Sequence, residues 1–157
     1  MKQKALFLEN GDEAQKEQYL QDFSWCNTWV AKHYADTKID GESFRYLETV
    51  DIAYVREKRR ANAAVIYRYL NVQEKVVPLF QEAEMDCPLF VPIICADYAQ
   101  REMLRKKLIA QKVYCPVHWP RPNDDCKSNL YDLELSLICD QRYDTADMER
   151  MMNIVCE

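Results

Sequence analysis

Cys115 and His118 stand three residues apart, and a thiol beside an imidazole is the pairing that makes a nucleophilic cysteine. Their segment, Lys112 to Trp119, reads as a strand, where an offset of three puts two side chains on opposite faces. The pair therefore forms only if Pro116 breaks the strand, and a sheet cysteine with a separate histidine is the plainer reading. The same spacing also suits a metal. No second pair stands nearby, the other histidine, His33, is remote, and no Cys-x-x-Cys occurs. The acids Glu82, Glu84 and Asp86, and Asp124 with Asp125, lack a histidine companion and read as solvated loop carboxylates. Arg142, in Asp140-Gln141-Arg142-Tyr143, has the fork geometry to clamp a carboxylate or phosphate; an ion pair with Asp140, Asp144 or Asp147 is the simpler alternative. The run Arg56-Glu57-Lys58-Arg59-Arg60 is either a solvated helix face or an anion-binding patch.

Composition removes several chemistries. Only two glycines occur, Gly11 and Gly41, too few for a phosphate-cradling loop. A net charge of -5 leaves no basic excess for a nucleic-acid partner. No apolar run reaches the roughly 20 residues that span a bilayer, so no membrane partner is expected. The opening Met1 to Leu8 meets Glu9 and Asn10 too early for a signal peptide, and seven cysteines, an odd number, read as reduced thiols. Together these predict a cytoplasmic protein. With 157 residues, 48% of them hydrophobic, the chain is long enough to build a core without staples.

The elements that must position these residues follow from periodicity. Lys4–Leu8 reads as a short strand or extended arm, Asn10-Gly11 as a turn, and Asp12 as the cap of a helix over Glu13–Phe23 that Trp25, Trp29 and Val30 either extend or follow with a turn. Ala35–Ser43 reads as a polar loop. Asp51 caps a helix over Ile52–Leu70, with Ile52, Val55, Asn62, Ala63, Ile66 and Leu70 inward. Val76–Phe80 is an edge strand. Leu89–Cys95 is a clearer strand whose Pro92 asks for an edge or a bulge. Asp97 and Gln100 form a capping box for a helix to about Gln111, with Tyr98, Leu104, Leu108 and Ile109 inward. Leu133–Cys139 alternates as a half-buried strand. Asp144 or Thr145 caps a last helix striped with Met148, Met151, Met152 and Val155. The expected fold is α+β: a small, mainly antiparallel sheet of three to four strands with helices on one face (residues 51–157), preceded by an N-terminal strand/helix arm (1–50).

Five segments, in order, carry a resemblance. Lys4–Leu8 with its acidic helix, Arg56–Asn62, Cys87–Ile93, Lys112–Pro120, and Leu135–Tyr143 followed by Thr145–Arg150 together resemble the C-terminal domain of DegT/DnrJ/StrS-type aminotransferases, pyridoxal-phosphate enzymes of fold type I often engaged in amino-sugar synthesis. The resemblance spans nearly the whole chain. It implies that the cofactor domain, which supplies the Schiff-base lysine and phosphate cup, would precede these residues, so that no cofactor is bound by this chain alone. It also places His118, Trp119 and Arg142 on the substrate side.

The resulting expectation is a non-catalytic, aminotransferase-like domain acting through association, either with a separate pyridoxal-phosphate-domain protein or with itself. Trp25, Trp29, Tyr34 and Tyr46 would mark the associating face. The alternative is a module in carbohydrate biosynthesis that binds a small anionic ligand such as a nucleotide sugar between His118 and Arg142. A third possibility is a thiol enzyme built on Cys115 or another cysteine.

Overall fold

A computed structural model describes residues 2–118 and 128–157. The chain divides into two units, Met1–Val50 and Asp51–Glu157.

The first unit is helical. Helix α1 spans Lys2–Asn10, in place of the short strand or extended arm expected over Lys4–Leu8. Its lysines, glutamine, leucines and glutamate are good helix formers, and among the described residues of this unit no strand pairs with it. Phe7 packs on Tyr19 with ring centroids 6.1 Å apart, beneath the ammonium of Lys16. Gly11 turns the chain with φ +70, a conformation suited to glycine. Asp12 then accepts from the Ala14 N–H and opens α2, Glu13–His33, one continuous helix through both tryptophans. After a single 3-10 turn, Asp40 accepts from the N–H groups of Glu42 and Ser43 and starts α3, Gly41–Thr49. The predicted loop thus ends earlier than expected, because Asp40 supplies a cap that outweighs the cost of glycine in the first turn.

The second unit holds the sheet. Helix α4, Ile52–Leu70, begins where Asp51 accepts from the Tyr54 N–H. Asn62, Ala63, Ile66, Tyr67 and Leu70 form its buried face; Ile52, expected inward, is exposed in the first turn. Strands β1 (Val76–Pro78), β2 (Phe90–Cys95) and β3 (Glu134–Ile138) form an antiparallel sheet in the order β1-β2-β3, with Val76 opposite Cys95 and Pro92 opposite Ser136. Pro78 lies on an edge strand, as its missing donor requires. Pro92 is in the central strand, contrary to expectation. A strand residue directs its N–H and C=O to the same neighbour. The Pro92 carbonyl accepts from Leu79, just past the end of β1, so the donor that proline lacks would also have faced that frayed end.

Helix α5, Tyr98–Ala110, is capped by Asp97, while Gln100 reaches one residue beyond the cap, to the Ala96 N–H. Leu104 and Leu108 turn inward, but Tyr98 is exposed. Lys112, with φ 62, reverses the chain. The predicted strand from Lys112 does not form among the described residues. Pro116 offers no N–H for a ladder, and the segment's tie to β3 is a bond from the Ser136 N–H to the Pro116 carbonyl at 3.0 Å. A short helix α6, Leu130–Leu133, precedes β3. Helix α7, Thr145–Cys156, starts at Asp144 in a capping box with Asp147.

Alternation along the strands decides where the core lies. Val91, Ile93 and Cys95 on β2, with Leu135 and Leu137 on β3, meet Ile66 and Tyr67 of α4, Leu104 and Leu108 of α5, and Met148, Met151 and Met152 of α7 in one cluster. Each fully buried side chain of this kind contributes about 1.5–3 kcal/mol. The three long helices therefore cover one sheet face. Among the described residues the other face is met by loops, by the short helix α6 and by the segment that carries His118.

Candidate functional site

The alternation that sends Leu135 and Leu137 into the core sends Glu134 and Ser136 to the opposite sheet face. Both are nonetheless buried, Ser136 to 1% exposure. The segment tied to β3 through Pro116 delivers His118 onto them. The His118 backbone N–H donates to Glu134 Oε2 at 3.1 Å, and His118 Nδ1 lies 2.7 Å from Ser136 Oγ. The Ser136 hydroxyl donates to Glu134 Oε1. The Phe90 ring meets the imidazole edge-on, with centroids 4.5 Å apart.

With an ionised Glu134, this order places the protons. Both Glu134 oxygens act as acceptors, as a carboxylate's do, so the single Ser136 proton points to Glu134. Ser136 Oγ must then accept from the Nδ1–H of His118. Serine sits between histidine and acid, whereas a nucleophilic triad needs histidine in the middle, so this is not a hydrolase arrangement. Beside the cluster opens a cavity of about 570 Å³, lined by His118, Glu134 and Ser136 together with Leu79, Phe80, Met85, Phe90, Leu130 and Tyr131.

The other sequence candidates go elsewhere. Arg142 turns back on Asp140: its Nε lies 3.0 and 3.1 Å from the two carboxylate oxygens, and its backbone N–H donates to Oδ1 at 2.9 Å. It borders a separate cavity of about 380 Å³ with Arg105, Tyr114 and Cys115, so His118 and Arg142 do not share a pocket. Burial alone would raise the Asp140 carboxyl, but the Arg142 hydrogen bonds outweigh it and hold the group below the usual carboxylate range. Trp119 lies outside the described residues, as do Asp124, Asp125 and Cys126. Cys115 is in the core, its Sγ 3.8 Å from Met151 Sδ, and burial pushes its thiol up to about 11. Facing α7 while His118 faces Ser136, it forms no thiol–imidazole pair, and its burial argues against a thiol enzyme built on Cys115.

The charged clusters resolve into structural pairs. Asp86 takes Arg56, with Arg60 at 3.9 Å, while Arg59 donates to Gln141 at 2.8 Å. Glu84 accepts from the Gln81 N–H. Beside Arg59, the Asn62 amide donates to the carbonyls of Asp140 and Tyr143, each at 3.0 Å, and reaches that of Cys139 at 3.4 Å. Arg59 and Asn62 thus fasten the turn between β3 and α7, while Arg56 and Arg60 hold Asp86. Among the described residues no three His, Cys, Asp or Glu side chains gather as a metal-holding group.

Compared with protein-family models, with curated proteins and with solved structures, the chain matches none. The aminotransferase resemblance rests on its five segments alone. Ser136 and Glu134 escaped the sequence reading, although two polar residues on the non-core face of an otherwise apolar strand were a visible signal. Phe90 read only as part of a hydrophobic strand.

Proposed function

We propose that this chain acts by association, as an aminotransferase-like small domain that completes a separate pyridoxal-phosphate protein and is not catalytic by itself. The observation that carries the reading is the Met1–Val50 unit. None of its described side chains is buried, yet it displays Leu20, Phe23, Trp25, Trp29, Tyr34, Phe44 and Tyr46, with Trp25 65% exposed.

Ordering a backbone costs about 1–2 kcal/mol per residue, and isolated helices as short as α1 and α3 are marginal in water. Helices of this kind are stabilised by burying such side chains, each worth about 1.5–3 kcal/mol. A partner surface supplies that burial. The resemblance names the partner's chemistry: a fold-type-I domain carrying the lysine and phosphate cup. Of the residues the resemblance puts on the substrate side, His118 borders the cavity of about 570 Å³, whereas Arg142 borders the separate one of about 380 Å³ and is already engaged by Asp140. Among the described residues no helix is long and apolar enough to cross a membrane. The described cysteines are free thiols, which supports a cytoplasmic setting for the proposal.

The test is reconstitution. The purified chain is mixed with pyridoxal phosphate and an amino donor, alone or with an aminotransferase of the resembled family cut off before its own small domain. The expected result is turnover only in the mixture. Turnover by the chain alone, or a stoichiometric borohydride-trapped lysine adduct, would overturn the reading.

A further inference from the structure

The cavity of about 380 Å³ beside Arg142 lies in the size range that takes a small molecule. Leu89, Phe90, Ile109 and Tyr114 give it apolar walls, and two arginines, Arg105 and Arg142, border it. The arginines differ in what holds them. Arg142 turns its Nε to both oxygens of Asp140, the carboxylate that also lines the cavity. Arg105, on α5, is paired only loosely. Among the described residues, the carboxylate within ion-pair distance of it is Glu102, 3.9 Å from Nη1 and beyond hydrogen-bond reach. Glu102 is also shared, its other oxygen standing 3.3 Å from Arg101 Nε. Protein covers Arg105 Nε, which holds the base of the guanidinium in place, while the side chain as a whole stays 40% exposed.

We propose that this cavity binds a small hydrophobic carboxylate, its charged end on the Arg105 guanidinium and its ring or chain against Leu89, Phe90, Ile109 and Tyr114. Three groups that line the cavity combine in that assignment. The Arg105 guanidinium offers parallel N–H donors in the spacing of a carboxylate's two oxygens. Asp140, the acid on the wall, is already closed by Arg142, so the two cations outweigh the one anion they face. The apolar walls reward a ring or chain that leaves water. An amine of the same shape would bring its ammonium toward two guanidiniums. Arg105 is a residue that neither the periodicity of α5 nor the aminotransferase resemblance singles out. The proposal stands on the Asp51–Glu157 unit and is independent of the association reading.

The experiment uses three probes on the full chain: phenylacetate, 2-phenylethanol and 2-phenylethylamine. They share a ring and differ in the head group. Binding is read by calorimetry and by thermal stabilisation, which follows from preferential binding to the folded state. Phenylacetate should bind about tenfold more tightly than the alcohol, in line with a charge-assisted hydrogen bond, and the amine should bind more weakly than either. Arg105→Met keeps the apolar stem and removes the charge, and should bring phenylacetate down to the level of the alcohol. Ile109→Trp, at another partly exposed position, should abolish binding of both by filling the cavity, and it keeps the test decisive if the first variant fails to fold. The proposal is overturned if no probe binds at millimolar concentration, if the alcohol or the amine binds as tightly as phenylacetate, if phenylacetate keeps its advantage in Arg105→Met, or if its binding survives Ile109→Trp.

Discussion

The guanidinium of Arg142 closes on the carboxylate of Asp140 two residues before it, and the two partners differ sharply in exposure: the arginine side chain is 70% exposed, the aspartate 2%. The pair therefore acts as a lid on a buried charge. The folded Asp140 carboxyl is held below its unfolded value of about 3.9. A depressed acid contributes stability that is complete above the unfolded value and is lost as pH falls through the folded one. Arg142→Met should cost about 1 kcal/mol at pH 7, a modest figure because water screens the exposed arginine. The gap between variant and parent should shrink below about pH 4, in urea unfolding at several pH values. An equal gap at pH 7 and pH 3 would contradict this account.

Asn62 is a stronger anchor. Fully buried, it ties α4 to the turn between β3 and α7 through three carbonyl oxygens. Asn62→Ala should cost about 2–4 kcal/mol, the sum of lost hydrogen bonds and unsatisfied acceptors. Asn62→Asp should cost more, since a carboxylate would face those same oxygens. Chemical denaturation measures both, and a change under 1 kcal/mol for either would show that the turn holds itself.

Thiol reactivity should divide by burial. Desolvation pushes Cys95 and Cys115 up to about 11 and Cys139 up to about 12, whereas Cys26 and Cys87 are exposed. Iodoacetamide at neutral pH, followed by peptide mass spectrometry, should label Cys26 and Cys87 first and reach the buried three only after unfolding. Fast labelling of Cys115 in the native protein would reopen thiol chemistry.

The Asp51–Glu157 unit owns the hydrophobic core cluster. Removing residues 1–50 should therefore leave a cooperatively folding fragment whose urea midpoint is close to that of the full chain. A fragment lacking a cooperative transition would mean that the helical unit contributes to that core.

Elements with their own caps and apolar stripes were legible in the sequence. Asp51 with the Asn62–Leu70 face gave α4, and Asp144 with the methionine stripe gave α7. Lys4–Leu8 misled because a short apolar run does not distinguish strand from helix. α3 was hidden by Gly41, although Asp40 was there to cap it. The Lys112 segment looked like a strand by residue type, and Pro116 prevented it. His118 was recognisable as a residue of interest. Its partners were not, because Glu134 and Ser136 lie 16 and 18 residues away and meet it only through the fold.

Association through the N-terminal unit is most directly tested by the tryptophans it carries. The chain is mixed with the truncated pyridoxal-phosphate aminotransferase domain, and the mass of the mixture is read by light scattering alongside acrylamide quenching of Trp25 and Trp29, with a Trp119→Phe background isolating their signal. The account predicts a one-to-one complex and a clear loss of quenching. Two unassociated species with both tryptophans as accessible as before would contradict it.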